Sequence, residues 1–198
     1  MTPIIPGIQQ WSVFSEEKQM YFNGLLLTVG DCCILVDPPP MEAADRAAIG
    51  QERAVEAILL TNRDHVREAE ACRRDFKAPV YAPAADAPLM DIPIDRTYTD
   101  GERLPGGLVA IHAKDMKSPG ESALLLERGT GYLILGDALI GKPAGQLNLL
   151  PADKFADVAK ARASLKRLLA CQFDAVLVGD GASILTGGKE AVRRAVES

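Results

Sequence analysis

A layered α/β fold, with helices outside paired sheets, is the class this sequence predicts. Three observations lead there. Short apolar, β-prone runs recur along the chain, several of them end in an acidic turn, and a few stretches with helical spacing interrupt them. The 198 residues suffice for one domain spanning 1–198 that buries roughly 70% of its unfolded surface.

Residues 20–29 are apolar and β-prone, Gly30-Asp31 makes a turn, and 32–36 is apolar again, which predicts a hairpin. Asp37-Pro38-Pro39-Pro40 stops the second strand, because proline has no ladder donor and turns its predecessor away from helix. A short helix over 41–49 follows. The run 55–60 reads as a buried strand, and Val66, Ala69, Cys72 and Phe76 then recur at helical intervals, so Asp64 and His65 fall at a strand-to-helix junction. A short strand at 79–82 precedes a proline-rich segment, 83–96, read as a flexible loop. Three more strands are expected at 108–112, 122–127 and 132–135, separated by Ser118-Pro119-Gly120 and Gly129-Thr130-Gly131. With Asp153 as its N-cap, the stretch carrying Phe155, Val158, Leu165, Leu168 and Leu169 predicts the longest helix. A strand at 175–178 ends in Gly179-Asp180-Gly181, and 189–197 closes the chain as a helix.

Composition narrows the function. The 47% hydrophobic and 25% charged content is that of an ordinary globular protein. A net charge of -5 without a basic block argues against nucleic-acid and anionic-membrane partners and leaves small molecules or proteins. The N-terminal residues carry no secretory signal pattern, and no apolar run has the length of a membrane span. Cys32, Cys33, Cys72 and Cys171 show no Cys-x-x-Cys spacing and read as reduced thiols in a cytoplasmic protein.

The chemistry concentrates in Leu59-Leu60-Thr61-Asn62-Arg63-Asp64-His65, where an apolar run breaks into a polar cluster. His65 and His112 are the only histidines, so a metal held here would depend mostly on carboxylates. Taken alone, Asp64-His65 is a helix cap and its neighbour. His112 suits a structural or surface role. Asn62 and Arg63 either hydrogen-bond neighbouring loops or bind substrate. Arg67-Glu68-Ala69-Glu70 with Arg73-Arg74 reads as a solvated helix face, and Trp11 as a packed or interfacial ring. Neither a nucleophile elbow nor a phosphate loop occurs.

In order along the chain, Tyr21-Phe22-Asn23-Gly24 with Ile34-Leu35-Val36-Asp37, Thr61 with Asp64-His65, Ser118-Pro119-Gly120 with Ser122, Gly136-Asp137-Ala138, and Gly179-Asp180-Gly181 resemble the metallo-β-lactamase superfamily. They match its opening hairpin and strand-ending Asp, its Thr-His-x-His-x-Asp-His signature, the segment after its third histidine, its metal-bridging Asp loop and its Gly-His-Gly. The resemblance implies a four-layer αβ/βα sandwich with mixed, mainly antiparallel sheets. Its departures fall on the ligands. Asn62 and Arg63 stand instead of the first two histidines, Lys117 instead of the third, and Asp180 between the last glycines; Asp64, His65 and Asp137 keep the family's residue types.

The resemblance therefore implies a gathering of Asp64, His65, Lys117, Asp137 and Asp180. One expectation is a protein without the binuclear zinc site and without a cofactor, in which Lys117 takes the vacated position and pairs with Asp137. Asn62, Arg63 and Lys117 would then bind a small, anionic ligand, with Asp64, Lys117 and Asp137 as catalytic candidates. A second expectation is a thioester or lactone hydrolase with one divalent ion, manganese, iron or zinc, on Asp64, His65, Asp137 and Asp180. A third is a non-catalytic structural or regulatory subunit that meets a partner through 83–96. A homodimer is compatible with each.

Overall fold

The computed structural model describes residues 1–197. Strands β1 (Thr2–Ile5), β2 (Ile8–Ser15), β3 (Met20–Val29) and β4 (Cys32–Val36) form an antiparallel meander. Strands β5 (Ala54–Leu59), β6 (Val80–Pro83) and β7 (Arg96–Tyr98) then add in parallel, giving a seven-stranded sheet among the described residues. The second sheet runs β11 (Ala175–Val178), β10 (Tyr132–Leu135), β9 (Ser122–Leu126), β8 (Val109–His112); β10 and β11 are parallel and the other pairs antiparallel.

The uninterrupted apolar runs follow from burial on both faces of each sheet. In β4, Ile34 and Val36 point between the sheets while Cys33 and Leu35 point outward; in β5, Ala57 and Leu59 point inward and Ile58 outward. The inward residues meet Leu124, Leu126, Ile134 and Leu177 of the second sheet. Outward residues of the first sheet pack under α1 (Ala43–Glu52) and α2 (Ala69–Phe76), through Ile49, Ala69 and Cys72. Leu133, Leu135, Val176 and Val178 pack under α3 (Val158–Leu165) and α4 (Gly188–Glu197), through Ala161, Leu165, Val192 and Val196. The layers are thus helix, sheet, sheet, helix, as expected.

Several elements differ from their sequence pattern. β1 and β2 precede the predicted hairpin, and Trp11 of β2 is buried with its indole N–H donating to the Pro39 carbonyl at 3.1 Å. The expected long helix is broken: a 3₁₀ turn at Ala152–Lys154, then α3, then a second 3₁₀ turn at Lys166–Ala170. Its cap is Asp157, whose carboxylate accepts from the Lys160 amide, and not Asp153. The segment 83–96 is fastened near both ends. Asp86 is fully buried and accepts from Ser118 Oγ, the Gly120 amide and the Arg63 amide, while Asp95 pairs with Arg73 and accepts from the Val80 amide. No helix among the described residues is long and apolar enough to cross a membrane.

The fold gathers strand ends. β4 runs out at Asp37, β5 at Thr61, β10 at Gly136-Asp137 and β11 at Gly179-Asp180, all on one edge of the sandwich. Backbone bonds from the Asn23 amide to Gly179 and from the Ser122 amide to Thr61 tie the two sheets there. Gly24 permits the packing behind them, since a Cβ would lie 2.4 Å from the Trp11 ring and 2.5 Å from the Pro39 ring. Gly24→Ala should therefore cost about 1–3 kcal/mol of stability in a urea titration; an unchanged midpoint would show that the Trp11 packing is looser than drawn.

Candidate functional site

Asp37 is the hub of the site. It ends β4 with a left-handed backbone (φ 46°), is 2% exposed, and accepts from the Thr61 amide at 2.8 Å and the Thr61 hydroxyl at 2.6 Å. Its Oδ2 also accepts from His65 Nδ1 at 2.8 Å. His65 is brought there by a 3₁₀ turn, Arg63–His65, capped by Asn62, whose Oδ1 accepts from the Asp64 and His65 amides. Gly179 leaves room for the imidazole, because a Cβ would come 2.6 Å from its Cε1.

From His65 the network spreads to three carboxylates and two cations. His65 Nε2 lies 3.4 Å from Asp137 Oδ1 and 3.8 Å from Asp180 Oδ1. Lys117 Nζ bridges Asp64 Oδ2 at 2.9 Å and Asp137 Oδ2 at 3.2 Å. Arg67 Nη2 donates to Asp180 Oδ1 at 2.6 Å and approaches His65 Nε2 at 3.3 Å. The site grades from deep to open: Asp137 and Arg67 have side chains 7% and 10% exposed, Lys117 and Asp64 32% and 37%. A cavity of about 570 Å³ lies alongside, lined by Gln10, Phe14, Tyr21, Asn23 and Gly181, and no member of the ionised cluster lines it.

Electrostatics fix the protonation states. Burial and the Arg67 charge pull the His65 pKa down, but the Asp37 charge and hydrogen bonds to Asp137 and Asp37 outweigh them and push it up to about 10. Burial alone would raise the Asp137 pKa, yet the hydrogen bond and charge of His65, with Lys117, hold it well below the usual carboxylate range. Burial likewise opposes the charge on Lys117, and Asp137 and Asp64 reverse it, so the ammonium is retained. Burial raises Asp180, against His65 and Arg67. Glu121, fully buried, is driven far upward by burial and the Asp137 charge and is held neutral; its Oε1 accepts from the Ala138 amide. Its Oε2 and Asn62 Nδ2 have no partner among the described residues.

Of the residues singled out from the sequence, Asp64, His65, Lys117, Asp137 and Asp180 do come together, and Lys117 does pair with Asp137. Asn62 does not face a ligand: it is fully buried and spends its Oδ1 on the 3₁₀ cap. Asp64 lies apart from the three groups whose ligand atoms fall within 4.8 Å of one another, His65, Asp137 and Asp180. His112 stays outside the cluster, its amide donating to Asp100. The largest correction is Arg67. It is no solvated helix residue but part of the site, its left-handed backbone (φ 42°) turning the side chain inward over Phe22 at 5.1 Å. Counted from Thr61 without a deletion, Arg67 takes the place of the last histidine of Thr-His-x-His-x-Asp-His, and that count was the available signal. Asp37 is marked in the sequence as a strand-ending Asp but not as the partner of His65, and Asp86 and Glu121 carry no pattern that marks their roles.

Because the His65 pKa is raised on folding, its contribution is complete below the unfolded value of about 6.5 and is lost as pH rises through about 10. Stability should fall by about 1.4 kcal/mol per pH unit across that window and flatten there in His65→Gln. Urea midpoints measured at intervals from pH 6 to 10 test this, and a flat wild-type profile contradicts it.

Comparison with known proteins agrees with this fold. A family model described as "Metallo-beta-lactamase superfamily" matches residues 4–198. No curated protein matches the chain. Among solved structures, DIM-1 metallo-beta-lactamase superposes with a TM-score of 0.80 at 15% identity, covering 99% of this chain and 95% of that one. A metallo-beta-lactamase from Pontibacter korlensis gives 0.78 at 16% identity, covering 100% and 98%. FIM-1 from Pseudomonas aeruginosa, in its mono-zinc form, gives 0.73 at 16%, covering 99% and 93%. These likenesses concern the fold, and the family match spans nearly the whole chain: the protein belongs to the metallo-beta-lactamase superfamily.

Proposed function

We propose that the protein is a metallo-β-lactamase-fold binding protein that has given up the binuclear zinc site and takes up a small anionic ligand at the mouth of the remnant pocket. The observation that carries this reading is the Lys117 ammonium lodged between Asp64 and Asp137. An ammonium has no lone pair and repels a dication, so the carboxylates it neutralises are not available to an ion at the same point.

Lys117 has three N–H donors, and two are committed to the carboxylates. The third is left for a ligand. The Arg63 guanidinium has no acceptor among the described residues, and Asp86 holds the Arg63 amide and the Ser118 hydroxyl on one oxygen, which ties the two segments that carry Arg63 and Lys117 together. A planar guanidinium beside an ammonium suits a carboxylate or phosphate group. Asp137, an ion-paired anion far below its ordinary pKa, is a weak general base, so binding rather than acid–base turnover is the chemistry this arrangement favours.

A mononuclear hydrolase is the second reading, favoured by the close grouping of His65, Asp137 and Asp180. One histidine with two carboxylates would suit manganese, iron or zinc. The donors as they stand fit an ion poorly, since Asp180 is already paired with Arg67 and Asp137 with Lys117.

Calorimetric titration with inorganic phosphate and a set of small carboxylates distinguishes the two. Binding should weaken at least about tenfold in Arg63→Ala and again in Lys117→Met, the loss of one charge-assisted contact each. Equal affinity in wild type and both variants would refute the anion site. Stoichiometric manganese, iron or zinc in protein prepared without chelator, lost in Asp180→Ala, would overturn the metal-free reading.

A further inference from the structure

The three groups nearest to a ligand set share their space with Arg67. His65 Nε2, Asp137 Oδ1 and Asp180 Oδ1 lie within 4.8 Å of one another, the spread of donors around a single ion. Nη2 of Arg67 is 2.6 Å from Asp180 Oδ1 and 3.3 Å from His65 Nε2, and those two donors are 3.8 Å apart. These lengths put Nη2 about 2.3 Å from the midpoint between the donors, and an ion bound to both at about 2.1 Å would lie about 0.9 Å from that midpoint, so no more than about 3.2 Å from Nη2. Two cations that close, drawing on the same donors, exclude each other.

Arg67 is built into that position. Nη1 donates to the carbonyls of Asn23 at 2.8 Å and Asp37 at 3.2 Å, Nη2 donates also to Gly179 at 3.3 Å, and the guanidinium lies over Phe22 at 5.1 Å. Its backbone is left-handed, a conformation a non-glycine residue keeps only when its surroundings require it. These carbonyls come from within β3 and from the ends of β4 and β11, so one side chain joins both sheets at the site.

We propose that Arg67 is a resident cation doing the structural work of a metal ion, and that His65, Asp137 and Asp180 beneath it form a latent site for one divalent transition metal, closed by the guanidinium. Removing Arg67 leaves two carboxylates and an imidazole facing a space of one positive charge. Cobalt(II) and zinc(II) accept such a mixed nitrogen and oxygen set. Binding displaces the proton on His65 Nε2 to solvent, and no other bond changes. The proposal deepens the metal-free reading, and the two fail separately: phosphate titration reports on Lys117 and Arg63, cobalt titration on Arg67.

The test is cobalt(II) titration of wild type and Arg67→Met, followed by visible absorbance and thermal melting. Wild type should take up no cobalt and keep its Tm. Arg67→Met should melt lower, take up one equivalent and regain stability with it, and lose that uptake when Asp180→Asn is added. Recovery of folded Arg67→Met only when cobalt is supplied supports the proposal equally. One equivalent bound by wild type with a raised Tm overturns it, as does a folded Arg67→Met that binds none, or one that refolds neither with nor without cobalt.

Discussion

Everything at the open end of the sandwich depends on neutralising carboxylates buried where strands converge. Asp37, Asp137 and Asp180 are each less than a tenth exposed and lie around one imidazole. Unpaired charges at that depth would cost several kcal/mol apiece. The chain meets this requirement with its own cations: His65 between Asp37 and Asp137, Lys117 between Asp137 and Asp64, and Arg67 against Asp180.

Close packing around that arrangement accounts for several local features. Gly179 is bare so that the His65 ring fits, and Gly136 is bare because a Cβ would sit 2.3 Å from Thr61 Oγ1 and 2.6 Å from Asn62 Nδ2. Asp86 crosses from segment 83–96 to hold the Ser118-Pro119-Gly120 turn, and so sets the position from which Lys117 reaches inward. Glu121, neutral beneath Asp137, adds no further negative charge to the cluster. The family's frame is retained, and on the reading proposed above the charge at its centre comes from covalently attached groups, which cannot exchange.

Much of the fold was legible because hydrophobic runs bounded by turns are a direct imprint of doubly buried strands. The hairpin of β3 and β4, together with β10 and β11, matched their patterns residue for residue. Two kinds of element were not legible. β1 and β2 carry mixed, half-exposed residues beside Pro3 and Pro6, and they form by pairing, β2 with β3 and β1 with β2, rather than by their own periodicity. The apolar spacing of 153–169 is also satisfied by short turns flanking α3, since both present the same residues to the sheet. In the site, ordered motifs located Asp64, His65, Lys117, Asp137 and Asp180, but Arg67 looked like one more charge in a run of charges. Its left-handed backbone has no sequence signature in a non-glycine residue, so only the count from Thr61 sets it apart.

The central claim is that ammonium and guanidinium groups stand where the fold would otherwise hold ions. A crystal structure of the wild-type protein grown with excess zinc, with anomalous data collected at the zinc edge, addresses it most directly. The account predicts no anomalous peak among Asp64, His65, Asp137 and Asp180, with Lys117 Nζ in density between Asp64 and Asp137 and the Arg67 guanidinium on Asp180. A strong peak coordinated by His65 and Asp180, with Arg67 swung away, would contradict it.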